Sequence, residues 1–321
     1  MVRSGSGVHA PESTISTTLP TADDLFWMAF ACAQQVEWIG VSFVGTAEEL
    51  LRVRRRLHQQ TSGSIPLLMA KIEKRQALEH LDAIMDAADG VMVARGDLGV
   101  ETPLEEVPIV QKRIIARANA SGKPVVTATQ MLESMIEHPS PTRAEVTDVA
   151  NAVLDGSDAL MLSEETAVGR YPVEAVRVLS AVIQATEVHY PYGVLQRVGA
   201  RLQRSAADAL SAAACRVAFE THAQAIVVMQ EAHEAVCRIA RFRPSAPVIA
   251  LSQSLRRVQQ LALVWGVRPL KPSAHTAASF ANARGWLVRR HLVRPGKLVV
   301  VVSAVREPGA PVREAVQVVE V

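Results

Sequence analysis

Five short apolar runs set the strongest constraint on what this chain can fold into. They are Trp38–Val44, Ile65–Ala70, Gly90–Ala94, Pro124–Ala128 and Asp158–Leu162. They recur at intervals of roughly 30 residues, the length of one strand-plus-helix unit. Each is followed by a stretch of helical character, and most are rich in β-branched residues, as strands buried on both faces of a parallel sheet are. Strand–helix alternation of this kind points to a parallel α/β layer or barrel. One helix start is explicit: Thr142 with Glu145 three residues later forms a capping box, predicting a helix through Ala152 that stops near Gly156.

The rhythm changes after Tyr171-Pro172. A long helical stretch reaches about Glu187, and His189-Tyr190-Pro191-Tyr192-Gly193 breaks it. A second α/β region follows, with strand candidates at Ala225–Met229, Pro247–Leu251 and Leu298–Ser303. The expected organisation is a disordered leader over residues 1–18, rich in Ser, Gly, Thr and Pro, a first domain over 19–194 and a smaller α/β domain over 195–321.

Composition removes several classes of function. The 321 residues are 49% hydrophobic and 21% charged, a globular balance with room for two domains. Net charge is +2, from 34 basic and 32 acidic side chains, so neither nucleic acid nor an anionic membrane is an expected partner. The densest basic run, Arg52, Arg54, Arg55 and Arg56, reads as a solvated helix face, with no aromatic residue interleaved for stacking on bases. The longest apolar runs, near Leu25–Ala33 and Leu298–Ser303, fall far short of the roughly 20 residues a membrane helix needs and read as buried elements. The leader has no apolar core of a signal peptide. Cys32, Cys215 and Cys237 are too few and too far apart for a disulfide framework, which favours a reducing, cytoplasmic setting. His233 and Cys237 stand four apart, a spacing open to a metal, but they read as one face of a helix.

Chemistry concentrates where the first runs end. In α/β barrels the carboxyl ends of the strands carry the active site. Lys71-Ile72-Glu73 closes the second run, and residues two apart in extended backbone face the same way, so an ammonium and a carboxylate converge. Arg95-Gly96-Asp97-Leu98-Gly99 closes the third, where Asp97 adds a carboxylate and the glycines let backbone amides approach an anion. Two carboxylates with substrate oxygens and water suit Mg²⁺ or Mn²⁺. Lys71 would then serve as a point charge on a phosphate or a developing enolate. Thr127-Ala128-Thr129-Gln130 spans the end of the fourth run and Ser163-Glu164-Glu165-Thr166 follows the fifth. Taken singly, each group also reads as a surface ion pair, a turn or a helix cap.

Together these segments resemble pyruvate kinase. Met69-Ala70-Lys71-Ile72-Glu73, Asp89 through Gly99, Lys123-Pro124 through Met135, Pro141-Thr142-Arg143-Ala144-Glu145, Asp148 through Val153 and Met161 through Ala167 carry the likeness, which runs from about Leu19 to about Leu270. The resemblance implies transfer of a phosphoryl group between phosphoenolpyruvate/pyruvate and ADP/ATP. Lys71 would stabilise the enolate and the phosphoryl group, Glu73 and Asp97 would hold the divalent metal, and the Gly96 and Asp97 amides would bind the substrate carboxylate. Thr129 would support protonation of the enol, and Ser42-Phe43 would line the phosphoenolpyruvate pocket.

The likeness has gaps. The family's short first helix, three barrel strands, lid domain and Arg-x-Asn-x-Ser-His segment have no counterpart here. Potassium is expected from the family, yet no residue of this chain can be named for it. Five strands do not close an eight-stranded barrel. The expected fold is therefore a partial TIM-type barrel of about five βα units followed by the smaller α/β domain, in a homo-oligomer or completed by a missing N-terminal half. In the second region, Gln230-Glu231-Ala232-His233-Glu234-Ala235 stands where sugar-phosphate-regulated relatives carry small hydroxyl residues, so no sugar bisphosphate is expected there. Two other readings remain open at this point: a non-catalytic relative acting as an interaction or regulatory subunit, and a metal-dependent enolate enzyme of the oxaloacetate decarboxylase type.

Overall fold

The structure is a computed structural model that describes residues 19–61, 63–192, 205–229, 233–305 and 313–321. The expected leader over 1–18, the expected boundary near residue 195 and the acidic stretch 230–232 lie outside them. The chain divides into two compact units. One takes in the chain up to Ala118, Val125–Asp155 and Leu160–Ile183; the other takes in Asn119–Pro124, Gly156–Ala159 and Gln184–Val321.

The first part of the chain runs α1 (Ala22–Ala33), β1 (Trp38–Val41), α2 (Ala47–Gln60), β2 (Leu67–Ile72), α3 (Arg75–Glu79), α4 (Leu81–Ala87) and β3 (Gly90–Ala94). It continues with α5 (Arg95–Glu101), α6 (Val107–Ser121), β4 (Val125–Ala128), a 3₁₀ turn at Glu133–Ile136, α7 (Arg143–Asp155), β5 (Ala159–Met161), α8 (Glu164–Ala167) and α9 (Pro172–Glu187). The strands form one five-stranded sheet in the order β1-β2-β3-β4-β5. The pairs β1–β2, β2–β3 and β3–β4 are parallel, so their carboxyl ends lie on one side. This is the α/β architecture with five strands that the rhythm called for.

Side-chain periodicity explains the packing. Leu50, Val53 and Leu57 of α2, Ile84 and Met85 of α4, and Ile114, Ile115 and Ala118 of α6 meet Leu68, Ala70, Ile72, Val91, Val93 and Val125 of the strands in one buried cluster. Each large aliphatic side chain removed from water there contributes about 1.5–3 kcal/mol. Helix starts are capped as the sequence implied. Thr142 and Glu145 exchange their hydrogen bonds, and α7 runs on to Asp155. Thr21 and Asp24 do the same for α1.

Two expectations need correction. The run Leu25–Ala33 is not a buried element: it forms α1, of which Met28 is buried while Phe26, Trp27 and Phe30 are 65%, 61% and 52% exposed. The apolar residues there occupy more than one stripe of the helix, and one stripe faces the core. The arginine run is not wholly solvated either. It lies on α2, where Arg55 and Arg56 are exposed, but Arg54 pairs with Asp89 at 2.8 Å and Arg52 donates to the Leu19 carbonyl. Among the described residues no helix is long and apolar enough to cross a membrane.

The second unit holds α10 (Ala206–Glu220), β6 (Ile226–Met229), α11 (His233–Ala240), β7 (Val248–Leu251), α12 (Leu255–Leu261) and β8 (Val267–Leu270), then α13 (Ala274–Ala277), α14 (Phe280–Arg289), β9 (Leu298–Val305) and β10 (Arg313–Glu320). Its sheet has the order β10-β9-β6-β7-β8, parallel except for β10 on β9. Alternate strand residues split between two cores. Ile226, Val228, Ala250, Val300 and Val302 pack with α10 and α11; Val227, Ile249, Leu251, Val299 and Val301 pack with Ala283 and Leu287 of α14. That is the period of two expected for a sheet covered on both faces.

Charge is buried in this unit in pairs. Arg241 lies 2.8 Å from Asp208, and Arg243 lies 2.7 Å from Asp158, with Arg243 only 2% and Asp158 4% exposed. Arg243 also donates to the Gly156 carbonyl and to Asn119 Oδ1, and stacks on Trp265 at 4.6 Å. The Trp265 amide donates to Asp158, and Tyr190 meets the Trp265 ring edge-on at 4.5 Å. His233 and Cys237 are both buried on α11, with Nδ1 and Sγ 3.5 Å apart. Among the described residues no group of three or more His, Cys, Asp or Glu gathers around a metal position. Burial raises the Cys237 thiol and pushes Cys215 up to about 12.

Candidate functional site

Most of the residues singled out in the sequence stand at the carboxyl ends of β1 to β4, with Ser42, Phe43, Lys71 and Glu73 linked in one group and Gly96 and Thr129 in another. Lys71 lies inside β2 rather than after it, paired in register with Met92 of β3, and Glu73 follows at the strand's end. The Lys71 ammonium stands 2.6 Å from Glu73 Oε1 and donates to Ser42 Oγ at 2.8 Å. The extended-strand spacing therefore places both charges together, and Ser42, just beyond β1, joins them.

The environment of Glu73 is unusual for a carboxylate. Its side chain is fully buried, 0% exposed, whereas Lys71 keeps 26%. Oε2 accepts the Phe43 amide at 2.6 Å. Oε1 has the ammonium close by but no well-directed hydrogen bond. A buried anionic oxygen with spare lone pairs costs free energy unless a cation meets it. Phe43 is held in left-handed backbone, φ 54°, which turns its amide onto Glu73 and leaves its ring 45% exposed beside Lys74.

β3 ends at Ala94, and Arg95-Gly96-Asp97 forms the first turn of α5 directly. Asp97 is partly buried on that turn. It stands at the end of the strand that pairs with β2, the strand of Lys71. The Gly96 amide donates to Thr129 Oγ1 at 2.8 Å, and Thr129 Oγ1 donates to the Ala128 carbonyl at 2.6 Å. Thr129 and Gln130 follow β4, both in left-handed backbone with φ 68° and 53°. Thr127 is fully buried within β4.

Two side chains that organise this end of the sheet were given no role from sequence. Arg95 reaches the carbonyls of Thr129 and Gln130 and the carboxylate of Asp148 on α7. Glu165, 2% exposed, accepts from the amides of Leu132 and Ser163 and so ties the stretch after β4 to the stretch after β5. Glu165 carried a signal, being an acid in a strand-end segment. Arg95 carried only its place beside Gly96 and Asp97.

Comparison with known proteins bears on the chain as a whole. The family model for the barrel domain of pyruvate kinase matches residues 1–176, and the model for the pyruvate kinase alpha/beta domain matches residues 208–313. A pyruvate kinase of Clostridium acetobutylicum is 37% identical over 309 residues, covering 95% of this chain and 65% of the relative. Pyruvate kinase 2 of Synechocystis is 40% identical over 304 residues, covering 94% of this chain and 50% of the relative. The crystal structure of a pyruvate kinase from Cryptosporidium parvum superposes with a TM-score of 0.89 at 33% identity, covering 96% of this chain and 63% of that one. The chain thus spans between half and about two thirds of the length of these relatives.

Proposed function

This chain belongs to the pyruvate kinase family, and from that premise we propose that it works as a phosphotransferase on phosphoenolpyruvate and ADP, giving pyruvate and ATP. The observation that carries the reading is the Lys71 ammonium, held between Ser42 Oγ and the buried Glu73 carboxylate at the carboxyl end of a parallel strand. The reaction breaks the bond between phosphorus and the enol oxygen, joins phosphorus to a terminal oxygen of ADP, and leaves an enolate that takes a proton at its methylene carbon. Positioning and charge neutralisation do most of the work in such a transfer.

Lys71 neutralises charge on the phosphoryl group and on the enolate oxygen. Because Ser42 and Glu73 hold it, little reorganisation is needed as charge develops. The Gly96 and Asp97 amides take the substrate carboxylate. Thr129 supports delivery of the proton to the methylene carbon. Ser42 and Phe43 line the pocket. Glu73 and Asp97 would hold Mg²⁺ or Mn²⁺; the buried Glu73 Oε1 without a directed hydrogen bond fits a hard cation. When bound, that ion supplies positive charge to phosphate and enolate oxygens. Potassium remains a family expectation with no residue assigned. Work in the cytoplasm, in a homo-oligomer or with a polypeptide that completes the barrel, belongs to the same proposal.

The test is a coupled assay of the purified chain with phosphoenolpyruvate, Mg²⁺ and K⁺, with and without ADP, beside an assay of oxaloacetate decarboxylation. ADP-dependent pyruvate release supports the reading. Decarboxylation without ADP-dependent release would replace it with an enolate enzyme, and activity in neither assay, with no phosphoenolpyruvate binding, would leave an interaction subunit.

A further inference from the structure

Thr129 and Gln130 are consecutive residues with a Cβ in left-handed backbone, one of them β-branched. That region is unfavourable for both and persists only where neighbours enforce it. One side chain meets the carbonyls of both. Turning these two peptides aims their carbonyls at the guanidinium of Arg95. Nη2 lies 2.7 Å from the Thr129 oxygen and 3.0 Å from the Gln130 oxygen, and Nε lies 3.2 Å from the Thr129 oxygen. Nη2 also sits 2.9 Å from Met131 Sδ, and Nη1 reaches Asp148 Oδ2 at 2.5 Å. The arginine side chain is 10% exposed, so these bonds are largely sheltered from water.

We infer that Arg95 is a positioning residue for Thr129: it fixes the left-handed turn after β4, and thereby points the Thr129 hydroxyl at the Gly96 amide. The inference rests on the role proposed for Thr129 in proton delivery. The chain of cause runs from Asp148, which orients the guanidinium fork, through two carbonyls, to the backbone that carries the hydroxyl. A planar fork can meet two carbonyls and a carboxylate at once; an ammonium on a flexible stem cannot do so in the same geometry. Arg95 itself touches no proposed reacting atom. Its effect on rate comes through the hydroxyl, and misplacing a reacting group by about 1 Å costs roughly 10²-fold.

The test is Arg95→Lys in the full chain, with three readouts. The first is hydrogen exchange at the Gly96 amide and at residues 129–131. The second is exchange of pyruvate methyl protons with heavy water in the presence of Mg²⁺, which follows the proton step without phosphoryl transfer. The third is the thermal midpoint. The substitution is expected to speed Gly96 amide exchange by about tenfold or more while the midpoint moves little. It is expected to lower kcat for methyl exchange by about 10²-fold, with KM for pyruvate within about threefold. In a Thr129→Ala background it should cost almost nothing further, because both act through one hydroxyl. An unchanged Gly96 amide, or independent losses in the double variant, would overturn the inference. A wild-type chain without methyl exchange would count against the proposed function instead, and the amide readout would still decide the role of Arg95. Should Arg95→Lys fail to fold, Asp148→Asn carries the same test from the far end of the guanidinium.

Discussion

Both compact units of this protein hold close ion pairs, and the two sets are built differently. At the rim of the first sheet, Glu73 is buried but its partner Lys71 remains 26% exposed and turned toward Ser42. In the second unit, Arg243 and Asp158 are both sealed, and Nη1 and Nη2 of the guanidinium meet a carboxylate, a backbone carbonyl and an amide oxygen while its face lies on an indole. A charge left part-open at strand ends is available to a ligand. A charge sealed from water holds segments together: Arg243 joins Asn119 to Gly156 and Asp158, which precede it by 124, 87 and 85 residues. The same residue types therefore carry different meanings according to what surrounds them.

That contrast can be broken by experiment. The largest effect is expected from Arg243→Met, which strands Asp158 in the interior. Unfolding of the second unit by urea should show a loss of about 3–5 kcal/mol, mostly recovered when Asp158→Leu is added. A fall in turnover with stability intact would place Arg243 among the reactive charges and undo the distinction. Next comes Lys71→Met, expected to lower kcat in the coupled assay by about 10²–10³-fold. Its thermal midpoint should move less than that of Arg243→Met, since Glu73 keeps the Phe43 amide as a partner once the ammonium is gone. A stability loss matching that of Arg243→Met would make Lys71 a structural tie.

The smallest effect sharpens the same line. Burial alone would raise Glu145, but hydrogen bonds from Ser134 and Thr142 outweigh it and hold the carboxyl below its ordinary value. A group depressed in the folded state stabilises above its unfolded value, and the contribution is lost as pH falls through the folded one. Glu145→Gln should therefore cost about 1 kcal/mol at neutral pH. Urea titrations at successively lower pH should show the gap to wild type closing below the usual carboxylate range. A gap that stays constant would mean the charge contributes nothing.

Much of the first sheet was legible because buried parallel strands leave an unbroken apolar run. Gly90–Ala94 is β3 to the residue, and the other four runs overlap their strands. β8 and β10 leave no such run. β8 carries Arg268 and Pro269 and lies at a sheet edge, where proline is tolerated and burial is partial. β10 pairs antiparallel at the opposite edge and leaves Gln317 and Val318 exposed, so it has no continuous apolar signal. The pairing of Lys71 with Glu73 was legible because it is local and follows from strand geometry. The hold of Arg95 on Thr129 spans 34 residues, and that on Asp148 spans 53. It depends on backbone turned to left-handed φ, which Thr and Gln do not advertise. The exposure of α1 was missed because helix periodicity says which residues share a stripe, not which stripe has a neighbour.

The three cysteines give the molecule an internal clock. Cys215 and Cys237 sit in the apolar layer of the second unit, where burial keeps them protonated, while Cys32 on α1 is partly open to solvent. Only a thiolate reacts with alkylating reagents. Labelling of the untouched protein should thus proceed in two stages, one promptly at the surface and one only as fast as the second sheet breathes. The slow stage times the opening of that sheet without a dye, a tag or a substitution.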